Sequence, residues 1–151
     1  MVSPSMESIL TKLRSRPLPP LEPGTTVYAP DLTSTIATLP VSTYAIASMH
    51  LLNDDIHSCH LIAQDNEGVP TANLLHATLH RREGDYTNSK CWWRDVSSHP
   101  LMPDREAAKQ FVDSCEKAAK GKLSSEEEIQ LRERQWADLL QLVDWTLKNP
   151  S

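Results

Sequence analysis

The distribution of proline restricts the fold of this chain more than any other feature. Seven of the eleven prolines lie in residues 1–40, and none lies in residues 41–69 or 104–149. Proline fixes φ and removes an amide donor, so it is excluded from the interior of a helix. We therefore expect an N-terminal helix and a proline-rich arm over residues 1–40, followed by a helical domain over residues 41–151.

Apolar residues in the helical domain recur at three- and four-residue spacing, which is typical of amphipathic helices. No segment shows the alternation of a half-buried strand. The pattern predicts an all-α protein of five to seven helices, built as a single domain of stacked hairpins that is either tetratricopeptide-like or an irregular bundle. We expect the arm to pack over this domain through apolar side chains, namely Leu18, Leu21, Val27 and Tyr28.

One tight helical hairpin is predicted within residues 74–101. Gly84 has the position of a residue that ends a helix, and Asp85 directly after it is a favourable N-cap for the next helix. Only a residue without a Cβ occupies positive φ without penalty. We therefore predict a positive φ at Gly84.

An offset of 30 residues relates this hairpin to the segment before it. The paired residues are Met49 with Leu79, His50 with His80, Asp55 with Asp85, and Ile62 with Trp92. Two stacked hairpins of a helical repeat would give such an offset. Because the period is short of 34 residues and only two units are visible, coincidence is the alternative.

Composition excludes several classes of function. The net charge of −5 argues against nucleic acid as the main partner, since phosphate contacts require a basic surface. No apolar run approaches the roughly 20 residues of a membrane span. Three widely spaced cysteines without a CxxC motif favour reduced thiols. We expect a cytoplasmic protein whose partner is a small molecule or another protein.

Histidines and acids concentrate around the hairpin. His76 and His80 lie four residues apart, so their imidazoles project from one side of the predicted helix. Such a pair can bind one metal ion, and Glu83 can add a carboxylate ligand. His60 can face the pair from the preceding hairpin, as in the metal sites of helical bundles. The zincin motif HExxH is absent, because Ala77 follows His76.

These residues predict a small enzyme or ligand binder whose cofactor would be a divalent metal ion. An imidazole could also act as a general base near neutral pH, since its ordinary pKa is about 6.5. The expected metal ligands are His76, His80, Glu83 and His99. The expected catalytic residues are His60, His76, His80 and Asp85.

Arginines and tryptophans would supply the remaining contacts to a ligand. Arg81 can hold a carboxylate or phosphate through two hydrogen bonds, and Trp93 and Arg94 complete the expected ligand-binding set. Trp92 and Trp93 cannot share one face of a helix. One of them should therefore be core, while the other is free to line a pocket.

A purely structural role is the alternative for the same residues. The histidines would then be half-buried and hydrogen-bonded to Asp54, Asp55 or Asp85. The arginines would form a local ion network that sets the hairpin angle, with Arg81, Arg82 and Arg94 paired to Glu83, Asp85 and Asp95. In that case the protein would be a helical-repeat adaptor for a protein partner.

Two segments carry a resemblance to a known family. The sequences DDIHSCHLIAQ and HATLHRREGDYTNSKCWWRDVSSHP resemble small helical proteins of bacteria and fungi, whose function is uncharacterised. The family pattern is an acid pair followed by histidine and glutamine, then HxxxHRxEGDxxNxxYWxR and a later HP. The shared residues are Asp54, Asp55, His60, Gln64, His76, His80, Arg81, Glu83, Gly84, Asp85, Asn88, Trp92, Arg94, His99 and Pro100.

The resemblance implies a shared fold and a shared site, and it implies no particular activity. It covers residues 50–102, about a third of the chain. The chain departs from the pattern at Cys91, where the family has tyrosine, and at Asn53, where it has histidine. If Asn53 replaces a ligand or a base, the chemistry of the site would be altered or lost.

Overall fold

The computed structural model describes residues 4–150, which form a single all-α domain without a strand. Its α-helices are α1 (Pro4–Arg14), α2 (Thr33–Ala37), α3 (Thr43–Leu52), α4 (Ile56–Asp65), α5 (Pro70–Arg82), α6 (Tyr86–Asp95), α7 (Arg105–Ala119) and α8 (Ser125–Lys148), with a 3₁₀ turn at Pro30–Leu32. The predicted fold class is confirmed, although five to seven helices was too few. The extra helix, α2, has five residues and is too short to show a periodic pattern.

The central element is α5, which is buried along almost its whole length. Apolar side chains of α1, α3, α4, α5 and α8 meet around it in one core, and Leu13, Leu75 and Leu139 are among the fully buried members. Helix α7 adds a smaller cluster through Phe111 and Cys115. Polar residues of α5 are therefore held among packed neighbours, which fixes their positions. No helix within residues 4–150 is long and apolar enough to cross a membrane.

The hairpins α3–α4 and α5–α6 share the same turn, 30 residues apart. The amide of Asp55 donates to the carbonyl of His50, and that of Asp85 donates to the carbonyl of His80, each at 2.8 Å. A bond across this six-residue span defines a Schellman motif. Asp55 and Asp85 also cap the helices that follow. The two hairpins thus share their turn geometry at the 30-residue offset, but α7 ends in the same motif, with the amide of Lys122 donating to the carbonyl of Lys117.

The two turns differ at the residue that reverses the chain. Gly84 has φ of 90°, which confirms the predicted positive φ, while Asp54 has φ of 58° at the equivalent position. A residue with a Cβ is strained there. The Asp54 carboxylate compensates by pairing with Arg82 at 2.7 Å and with Arg16 at 2.8 Å. The first turn therefore relies on the ion pairs of Asp54, while the second relies on the conformational freedom of Gly84.

Replacing Gly84 with alanine should destabilise the protein more than the same change at Gly121. Both residues have positive φ at the end of a helix, but nothing lies within 4 Å of a Cβ at Gly121. A Cβ at Gly84 would approach the carboxyl of Glu22 to 2.9 Å and displace it from its hydrogen bond with Tyr86. We expect a loss of about 1 kcal/mol for Gly121→Ala and about 1 kcal/mol more for Gly84→Ala in urea unfolding. Equal losses would show that the exposed Glu22 side chain moves aside without cost.

The proline-rich arm packs against the helices, as expected. Arg132 of α8 donates to the carbonyls of Leu18 and Pro19, at 2.7 and 3.0 Å. Further along, the side chain of Asn53 forms two hydrogen bonds with the backbone of Ala29. Asn53 therefore has a structural role, since it holds the arm in place.

The structure has a buried ion network around Arg82, and not the predicted ion pairs within the α5–α6 hairpin. Arg82 is fully buried and pairs with Asp54, while its other donors reach the carbonyl of Leu51 and the amide oxygen of Gln135. Within residues 4–150 no ion pair joins Arg81, Arg82 or Arg94 to an acid of the α5–α6 hairpin. The prediction of local pairing was wrong because the partner of Arg82 comes from the preceding turn.

Candidate functional site

Helix α5 presents chemical groups on two of its sides. His76 and His80 lie on one side, toward α4 and α6, where they contact His60 and Trp92. Arg81 lies on another side, beside a cavity next to α7 and α8. The residues that the sequence predicted as one site therefore form two separate places.

His60, His76 and His80 form a compact cluster. Taking one ring nitrogen from each, all three atoms lie within 4.8 Å of one another. The ring centroids of His60 are 4.9 Å from His76 and 5.5 Å from His80, and those of His76 and His80 are 4.8 Å apart. The three histidines meet because α4 packs directly against α5.

Trp92 covers the cluster, with its ring stacked on His76 at 3.8 Å and an angle of 12°. Trp93 faces the other way and lines the cavity beside Arg81. Both tryptophans are half-buried. Trp93 packs against the main core and also lines the cavity, so one side chain combines the two roles that the sequence assigned to separate tryptophans.

The contacts of His80 define which of its nitrogens carries the proton. Nδ1 is in contact with the carboxylate of Glu83, which accepts, so Nδ1 is the donor. Nε2 then accepts from the side-chain amide of Asn88 at 3.3 Å. The lone pair of His80 is thereby directed away from Glu83. The predicted ligand Glu83 orients His80 in this arrangement.

His76 is the most buried member of the cluster. Its side chain is 3% exposed, and its Nδ1 has no hydrogen-bond partner among residues 4–150. The pKa of His76 is lowered to about 4, mainly by burial and in part by the neighbouring His80 and His60. The imidazole is therefore neutral at physiological pH.

His99 lies outside the cluster, whereas Asp85 lies beside it: ligand atoms of His80, Glu83 and Asp85 are also within 4.8 Å of one another. His99 donates from Nε2 to the hydroxyl of Thr71 at 3.0 Å, and its Nδ1 accepts from the amide of Leu101 at 3.1 Å. Asp85 is exposed and accepts from the amide of Asn88 as the N-cap of α6. Both ring nitrogens of His99 are thus engaged elsewhere, while Asp85 caps α6 and also lies close to His80 and Glu83.

A cavity of about 350 Å³ lies between α5, α7, α8 and the link around residues 100–104. Arg81 and Trp93, two of the predicted ligand-binding residues, are in its lining. The third, Arg94, is exposed, donates to the sulfur of Cys91 at 3.2 Å, and is outside the lining. Arg81 and Trp93 line the same cavity because α5 packs on α6.

Sequence reasoning missed the residues that α7 and α8 contribute to this cavity. Phe111, Arg134 and Asp138 all line it. The guanidinium groups of Arg81 and Arg134 lie over the Phe111 ring, at 5.0 and 4.3 Å from its centroid. Nothing in the local pattern of either helix indicates this meeting, because it depends on how the two helices pack.

A scan against protein-family models, a search of curated proteins and a search of solved structures each gave no match to the chain. Its function is therefore inferred from the side chains described above.

Proposed function

We propose that the protein binds a divalent transition metal ion, of which zinc is the best fit, through His60, His76 and His80. The observation that carries this proposal is the cluster of three imidazole nitrogens within 4.8 Å, one histidine of which has a buried nitrogen without a partner. Imidazole is a preferred zinc ligand. The resemblance to the helical family, whose pattern includes all three histidines, is part of the same proposal.

The buried Nδ1 of His76, which has no hydrogen-bond partner among residues 4–150, supports metal binding by this side chain. A buried polar atom left without a hydrogen bond costs about 1–3 kcal/mol, so native proteins seldom keep one. A metal ion requires a neutral imidazole, and the low pKa of His76 keeps it neutral at physiological pH. Burial thus favours the metal-binding form of this side chain.

The contact between His80 and Glu83 also supports metal binding by the cluster. Histidines that bind metals commonly donate their other ring N–H to a carboxylate, which orients the ring and raises its basicity. Glu83 takes that position at Nδ1 of His80. The Nε2 lone pair is then available to an ion in place of its 3.3 Å contact with Asn88.

The three nitrogens lie slightly farther apart than in a zinc site, and a small inward movement of the rings would fit them around an ion. Nitrogens around a tetrahedral zinc ion are about 3.4 Å apart, given Zn–N bonds of roughly 2.1 Å. The three nitrogens here lie within 4.8 Å, so rotations of the rings would bring them to bonding distance. Three histidines leave the fourth position open, as in catalytic zinc sites, and a small anion or water can occupy it.

Titration of the metal-free protein, prepared without an affinity tag, with Zn²⁺ and Co²⁺ tests the proposal. We expect a 1:1 complex, a tetrahedral Co²⁺ absorption spectrum, and a stabilisation of about 2.7 kcal/mol at a hundredfold excess over Kd. His60→Gln and His76→Gln should each weaken binding by at least tenfold.

His57→Gln provides the matched control, because His57 lies on α4 with His60 but is exposed and outside the cluster. It should bind metal as the wild type does. Unchanged affinity in His60→Gln and His76→Gln, or no binding to the wild type, would contradict the metal site. The adaptor with a structural histidine motif would then be favoured.

A further inference from the structure

Arg81 is a buried cation without a carboxylate partner. Its residue is 5% exposed, and one nitrogen of the guanidinium, Nη1, contacts the carbonyl of Leu21 at 3.3 Å and the sulfur of Cys115 at 3.7 Å. No acid lies within ion-pair distance of it among residues 4–150. A buried charge without a counter-ion is costly, so an anion at this position would be bound favourably.

The acids that line the same cavity already have partners. Asp138 lies 3.9 Å from Arg134, one turn away on α8. Asp104 caps α7 and accepts from the amide of Ala107. Arg81 is thus the charge in the lining that remains to be balanced, although Asp138 adds a weaker, longer-range attraction to it.

The other walls of the cavity are mainly apolar. Leu74, Trp93, Met102, Phe111 and Leu142 contribute side chains to its lining. Its volume of about 350 Å³ is within the range of small-molecule sites. A ligand that fills this space therefore needs an apolar body as well as a negative group.

We infer that the cavity between α5, α7 and α8 is a second binding site, for a small carboxylate with an apolar body, whose carboxylate pairs with Arg81. The planar guanidinium can present two parallel N–H donors to a carboxylate. The apolar body lies against Trp93 and the leucines of the wall. No histidine of the metal cluster is in the lining, so this site does not depend on the proposed metal.

Titration with octanoate tests this inference, with tryptophan fluorescence and calorimetry as readouts, since Trp93 lies in the wall. Octan-1-ol has the same chain without the charge, and octylamine has the opposite charge. We expect octanoate to bind at least tenfold more tightly than octan-1-ol, and octylamine to bind most weakly. Arg81→Gln should remove the preference for octanoate over octan-1-ol, and Arg81→Lys should keep part of it.

A second variant changes the volume of the cavity and leaves Arg81 in place. Ala107 lines the cavity from α7, so Ala107→Phe should fill it and weaken octanoate and octan-1-ol alike by at least tenfold. Lys117→Gln removes an exposed cation of the same helix and should change neither. Equal binding of octanoate and octan-1-ol to the wild type would overturn the inference, as would unchanged octanoate binding in Ala107→Phe.

Discussion

Replacing Asp54 with asparagine should lower the free energy of unfolding by about 3–5 kcal/mol, the usual cost of breaking a buried ion pair from one side. The change leaves the fully buried guanidinium of Arg82 without its 2.7 Å carboxylate partner. Burial already lowers the pKa of Arg82 to about 10, and Asp54 is the main group that opposes this shift. Asparagine tolerates positive φ, so the measured loss reports the charge and not the backbone.

An exposed ion pair of the same length provides the control for Asp54→Asn. Arg14 and Asp144 are also 2.7 Å apart, but their side chains are 46% and 54% exposed. Asp144→Asn should therefore cost no more than about 1 kcal/mol in the same urea unfolding experiment. Similar losses for the two variants would show that the Asp54 network adds nothing beyond a surface pair.

Acid should destabilise the protein through His76. Its pKa is about 4 in the folded state against an ordinary value of 6.5, so above pH 6.5 both states hold it neutral and no proton is exchanged. Between pH 6.5 and 4 the unfolded state takes up a proton that the folded state does not, and stability falls as pH falls. The full loss is about 3 kcal/mol at one pKa unit per 1.4 kcal/mol.

Urea unfolding of the metal-free wild type and His76→Gln, at several pH values from 7 to 4, measures this effect. Glutamine does not titrate, so the variant should lose less stability toward pH 4 than the wild type does. His50 and His99, whose pKa values burial also lowers, contribute to both proteins and cancel in the difference. Parallel curves for the two proteins would contradict the burial of a neutral His76.

The features that sequence predicted well are those set by neighbouring residues. Asp85 is the N-cap of α6, as its position suggested, and Asp104 and Ser124 cap α7 and α8 through the same kind of local contact. Gly84 has the expected positive φ. Such features need only a few residues on either side, so they can be recognised in a single sequence.

The features that sequence predicted badly depend on distant packing. His76 and His80 meet through helical spacing alone, but no spacing rule placed His99 beside them. The link that carries His99 instead places it against Thr71 and Trp145. The separation of Arg81 from the histidines has the same origin, since it depends on where α7 and α8 pack.

The route of the proline-rich arm has a consequence for the order of events during synthesis. The carbonyls of Leu18 and Pro19 are bonded to Arg132, and that of Pro20 to Gln135, across separations of 113 to 115 residues. A ribosome makes this part of the arm before α2, and it makes α8 after α7. Six helices, α2 to α7, are therefore synthesised between the arm and these donors, and docking of the arm follows the formation of α8.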